Sequence, residues 1–125
     1  LAFSSAAQRD SLLEILSRST REVDKLAVNR SEVQKILAEA RNQGYATAVR
    51  PRRVTDEITM AVPIQLDDRV LAAVSVRFSG TAVPMKLAVE RFLPKLRETA
   101  GHIRASFIEQ QRDPPHQHHR PAQLP

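Results

Sequence analysis

Residues 57–78, EITMAVPIQLDDRVLAAVSVRF, constrain this chain more than any other stretch. Before the acidic pair the even positions Ile58, Met60, Val62, Ile64 and Leu66 are apolar, and the odd ones are Glu57, Thr59, Ala61 and Pro63. After it Val70, Ala72, Val74, Val76 and Phe78 are even, while Leu71, Ala73, Ser75 and Arg77 are odd. Side chains of a strand alternate faces with period two, so this pattern predicts two strands, each with one apolar row. One core can cover both rows only if paired residues have numbers of like parity, because a one-residue slip puts an apolar row in water. A two-residue loop at Asp67–Asp68 would pair Leu66 with Arg69 and mix the rows. A three-residue loop, Asp67–Asp68–Arg69, pairs Leu66 with Val70, Ile64 with Ala72, Val62 with Val74 and Met60 with Val76. The same register sets Thr59 opposite Arg77, Ala61 opposite Ser75 and Pro63 opposite Ala73. The turn contains no Gly, although such loops favour Gly or Asn at their left-handed position.

The odd face is small in the middle (Ala61, Ala73), hydroxylated (Thr59, Ser75) and cationic at one end (Arg77). Small side chains leave room, hydroxyls donate and accept, and a guanidinium grips a carboxylate with two parallel bonds. That is a floor suited to a small organic acid. The plainer alternative is a half-solvated sheet face on which Thr, Ser and Arg only meet water.

Around these strands the pattern is helical. Ser5 and Gln8 have capping-box spacing ahead of an apolar stripe of Leu12, Leu13, Ile15 and Leu16. Asn29 and Glu32 repeat that spacing before Val33, Ile36, Leu37 and Ala40, and Gly44 is a natural helix stop. The stretch TREVDKLAV between them reads as a loop with a turn of helix. YATAV, residues 45–49, reads as a short strand, and RPRR as a break. Pro84 opens a long helix with Leu87, Phe92, Leu96, Ile103 and Phe107 on one face, in which Pro94 should produce a kink. The folded domain is expected over residues 1–111. Residues 112–125, rich in Pro, Gln and His, have almost no apolar content and are expected to be a disordered tail. No internal repeat is evident.

Composition excludes several functions. The chain has 125 residues and no cysteine, so disulfides, thiolate metal sites and a cysteine nucleophile are ruled out. The absence of cysteine fits a reducing, cytoplasmic compartment, and the longest apolar runs are far short of a membrane span. Leu1 opens the chain with no signal-like segment, so a fragment or processed product is expected. Net charge is +5, spread over the last helix and Arg50, Arg52 and Arg53 rather than gathered on a nucleic-acid motif. His116, His118 and His119 sit in the Pro-rich tail without carboxylates, and His102 stands alone, so no metal and no cofactor is expected. Asp67 and Asp68 are neighbours in a turn and diverge, so they do not form an acid/base pair. No nucleophile elbow or phosphate loop is present, so the chain is not expected to be an enzyme. Arg50, Arg52 and Arg53 read as a solvated loop.

The order of these pieces resembles a known family. ILAEARNQGYATAVRPRRVTDEITMAVPIQLDDRVLAAVSVRF, followed by AVERFLPKLRETAGHI, is similar to the C-terminal effector-binding domain of IclR-type transcription regulators, and LAFSSAAQRDSLLEIL resembles an earlier helix of that domain. The likeness spans residues 1 to about 107. RFLPKLRETAGHI and the arginine of SVRF resemble the MhpR-like branch that activates phenylpropionate catabolism. The resemblance implies an α+β fold: an antiparallel sheet flanked by helices, a GAF-like sensory domain lacking its N-terminal strands. It implies a sensor of a small aromatic carboxylic acid that self-associates as a dimer or tetramer and touches DNA only through a winged helix-turn-helix outside this chain. Carried over position by position, the effector site would comprise Thr59, Ala61, Ser75 and Arg77. Many members carry an acidic residue soon after GY, where this chain has Ala46, Thr47 and Ala48. The effector's polar end would therefore rely on Arg77. A structural interaction domain and a small enzyme subunit are the alternatives.

Overall fold

The computed structural model describes residues 1–21, 25, 27–50, 52–53 and 55–112. The elements run α1 (Ala6–Ser17), α2 (Arg30–Gln43), β1 (Ala46–Arg50), β2 (Glu57–Leu66), β3 (Arg69–Ser79) and α3 (Met85–Arg112). The three strands form one antiparallel sheet in the order β1-β2-β3. The fold class is therefore α+β. The expected tail and its histidines lie outside the described residues, apart from Arg112, which closes α3, and so does most of the EVDKL stretch.

Both helix starts follow from their caps. The Ser5 hydroxyl accepts from the Gln8 N–H at 3.3 Å, and the Asn29 side-chain oxygen accepts from the Glu32 N–H at 3.2 Å. Each bond satisfies one of the amide groups a helix N-terminus leaves without a partner. Gly44 ends α2 at φ 83°, and its N–H donates to the Ala40 carbonyl. An L side chain in that region costs about 1–2 kcal/mol. Gly44→Ala is therefore expected to lower stability by about that amount in urea unfolding, although the new Cβ would meet only Arg97, at ordinary contact distance. An unchanged midpoint would show that this turn relaxes freely.

Strand pairing follows parity over most of the hairpin. Thr59 faces Arg77, Met60 faces Val76, Ala61 faces Ser75, Val62 faces Val74, Pro63 faces Ala73 and Ile64 faces Ala72. The turn differs from expectation. Leu66 pairs with Arg69 and Gln65 with Val70, so the loop has two residues, and the register shifts next to Ile64 and Gln65. The mixing of rows that argued against the short loop is cancelled by a bulge that leaves Leu71 without an opposite number. Asp67 takes the left-handed position at φ 53°, which a short Asp side chain tolerates where Gly is absent. One consequence is that Val70 leaves the apolar row and shares a face with Gln65.

α3 lies across the even face of β2 and β3. Met60, Val62 and Ile64 form a buried cluster with Ala88, Leu93, Leu96 and Ala100, flanked by half-buried Val74, Val76, Phe78, Val89 and Phe92. The rings of Phe78 and Phe92 are 5.4 Å apart at 56°, a favourable tilted contact. The buried face of α3 is formed by Ala88, Leu93, Leu96 and Ala100: of the expected row Leu96 is buried and Phe92 half-buried, while Ile103 is 44% exposed. Two small side chains, Ala88 and Ala100, let the helix approach the strands closely. α3 continues through Pro94 as one element, and the ring lies on its exposed side. α1 buries Leu13, while Leu12 is 39% and Ile15 65% exposed, so its expected stripe is only partly covered. Among the described residues no helix is long and apolar enough to cross a membrane.

Candidate functional site

The face of the sheet turned away from α3 carries the candidate site. β1 pairs with β2 in opposite parity, Ala46 with Ala61, Ala48 with Thr59 and Arg50 with Glu57. Together with the β2–β3 register this arranges the face in rows. Ala46, Ala61 and Ser75 form one row. Ala48, Thr59 and Arg77 form the next, and Arg50, Glu57 and Ser79 the last. Toward the turn lie Pro63 beside Ala73, then Gln65 beside Val70. The four residues expected from sequence therefore do share one face, in adjacent rows.

The face divides into two compartments. The half near the turn is an apolar cavity of about 250 Å³. Its floor is Ala46, Ala61, Pro63, Ala73 and Val70, and its walls are Ile36, Leu37 and Ala40 of α2 and the opening residues Leu1–Phe3. Every side chain lining it is apolar. The other half is charged. The Glu57 carboxylate stands between two guanidiniums, with Arg77 Nε 3.3 Å from one oxygen and an Arg52 terminal nitrogen 3.5 Å from the other. Glu57 and Arg77 are diagonal neighbours on the face, the spacing at which long side chains meet across a strand pair. An open cleft of about 390 Å³ continues past them, bounded by Arg52, Arg53, Thr55, Asp56 and Ser79. Thr55 bonds the hydroxyls of Ser79 and Thr81 at 3.0 and 2.6 Å, which ties this loop to the end of β3.

Ala61 thus lies in the cavity and Arg77 in the charged compartment, with Thr59 and Ser75 between them. Thr59 is half-buried and Ser75 exposed, and neither hydroxyl has a hydrogen-bond partner among the described residues. Arg77 is two residues beyond the cavity floor, about 7 Å along a strand. It is already engaged by a carboxylate of its own chain, which the sequence reading did not foresee. The signal was present: Glu57 has the same parity as Arg77 and follows the break that starts the strand. The contribution of α2 and the opening residues had no such signal, because facing elements leave no trace in periodicity. Ala46 and Ala48, which stand where the resembled family often has an acidic residue, keep the β1 side of the face small. Among the described residues no cluster of His, Asp or Glu could hold a metal ion. No family model and no solved structure matches the chain.

Proposed function

We propose that the chain is the effector-binding and oligomerising part of a cytoplasmic transcription regulator of the IclR type, a GAF-like, non-catalytic sensor of a small aromatic carboxylic acid. The observation that carries this reading is the wholly apolar cavity of about 250 Å³, which opens on the same sheet face as an arginine and two hydroxyls that have no hydrogen-bond partner among the described residues. An apolar cavity of about 150 Å³ suffices for one benzene ring, so this one has room for a ring and a short chain. The ring would sit on Ala61 and Ala73, and the carboxylate would reach toward Thr59, Ser75 and Arg77. DNA contact would fall to a module outside this chain. β1 leaves its outer edge uncovered among the described strands, and Val49 on it is 55% exposed, which supports pairing with a second copy.

The uncovered edge is also what favours the second reading, a structural interaction domain with no ligand. The two separate on one experiment. Under the sensor reading benzoate or phenylpropionate raises the melting temperature, as any ligand of the folded state does. Ala61→Leu should keep the fold, since the cavity can take the added carbons, and should weaken binding of the acids about 10-fold or more by occupying the ring's place. Calorimetric titration of wild type and variant is the measurement. No saturable binding to wild type, or equal affinity in the two proteins, would remove the sensor reading and leave the interaction domain.

A further inference from the structure

A second cleft, of about 390 Å³, adjoins the apolar cavity, sharing Phe3, Val62 and Pro63 with it, where β2 runs past the end of β1. Val62–Gln65 form one wall, and α3 forms the other with Arg97, Ala100, Gly101 and Arg104. Arg97 and Arg104 are seven residues apart, two turns of helix or about 10.5 Å, so both lie on one helix face. Gly101 falls between them on that face, four residues after the first and three before the second.

We propose that this cleft binds a small oxyanion, a carboxylate or phosphate group, gripped by Arg97 and Arg104 over Gly101. The electrostatics point there first. Arg97 donates to the Gln43 carbonyl at 3.4 Å and Arg104 to the Gln65 carbonyl at 2.8 Å, both neutral acceptors. Neither guanidinium forms an ion pair among the described residues, and no acidic side chain lines the cleft. A guanidinium has five N–H donors, so each keeps donors to spare for an anion. Those carbonyl contacts also hold the side chains in place, which lowers the entropy lost when they grip a ligand.

Gly101 is the second, independent observation. Glycine inside a helix is unfavourable relative to alanine. Nothing among the described residues requires it here, because a Cβ at this position would meet none of their atoms within 4 Å. The space it leaves lies between two cations on the rim of a cleft, where a bound group could approach the helix backbone. Arg97, Gly101 and Arg104 lie outside the proposed acid pocket, so the site stands whether or not that pocket binds an aromatic acid.

The test is amide NMR titration of the whole chain with inorganic phosphate and, separately, with succinate, at ionic strength fixed with chloride. Saturable shifts centred on Gly44, Gln65 and Gly101 are expected, and whichever anion gives the tighter curve identifies phosphate or carboxylate as the preferred group. Arg104→Gln should weaken binding about 10-fold or more, as loss of a charge-assisted contact does. Arg91→Gln removes the same charge from an exposed position of α3 outside the cleft and should change nothing. Gly101→Leu should raise helix stability and abolish the saturable shifts. Because that variant strengthens the helix, it decides the matter even if an arginine variant fails to fold. Non-saturating shifts, equal weakening by Arg91→Gln, or unchanged binding in Gly101→Leu would each overturn the site.

Discussion

Met60→Ala is expected to destabilise the domain by about 2–5 kcal/mol, the range for removing a large apolar side chain from a core. Met60 is fully buried in the central strand, between Thr47 of β1 and Val76 of β3 in register and packed in the cluster with Ala88, Leu93 and Leu96. Its neighbours are held by a paired strand on each side and a helix above, so the cavity left behind cannot easily close. A domain of this size has a total stability of about 5–15 kcal/mol, so the loss is a large share of it. Met60→Leu, which nearly conserves volume, should cost less than about 1.5 kcal/mol. Leu71→Ala is the matched control: that side chain is 37% exposed at the bulge, and its loss should matter far less. Urea unfolding followed by circular dichroism separates these outcomes. If Met60→Ala and Leu71→Ala shift the midpoint equally, the core is not where the packing puts it.

The hairpin shows how far such packing can be read from residues alone. Parity, together with the shortest loop that preserves it, placed Thr59 against Arg77 and Ala61 against Ser75, since an odd slip would put an apolar row in water. Parity failed at the turn, where a bulge can absorb one residue. The sequence signals a mismatch but not the place where the chain resolves it. That single misplacement hid Val70 from the cavity floor. Caps were legible because each is a local bond over three residues, as at Ser5 and Asn29. The buried face of α3 was legible only in part: Leu96 and Phe92 pack on the core as expected, while Ala88 and Ala100, too small to stand out, belong to it as well. The walls of the cavity, Ile36, Leu37 and Phe3, are far in sequence from the β2 and β3 residues of its floor, and only the folded chain brings them together.

Arg77→Ala is expected to weaken binding of benzoate or phenylpropionate by roughly 10- to 150-fold, the equivalent of about 1.5–3 kcal/mol for a charge-assisted contact. The side chain is 65% exposed, so solvent screening pulls the expectation toward the lower figure unless the ligand covers the guanidinium. Arg77→Lys should also weaken binding, because an ammonium cannot make the two-pronged contact. Glu57 makes the prediction sharper. Its carboxylate occupies Arg77 Nε at 3.3 Å and is itself shared with Arg52, so an incoming carboxylate must compete with it. An exposed ion pair is worth about 0–1 kcal/mol, so Glu57→Gln should tighten binding by at most about 5-fold. The double variant should bind like Arg77→Ala alone, since without the arginine there is nothing left to compete for. Calorimetric titration of the five proteins, each first shown to be folded, measures all of these changes. If Glu57→Gln tightens binding to the same degree with and without Arg77, Glu57 acts by simple repulsion and the arginine does not hold the acid. Were Arg77→Ala to bind as tightly as wild type, the Glu57–Arg77 contact would be a brace for the sheet edge, and the cavity over Ala61 would have to hold its ligand without an ionic anchor.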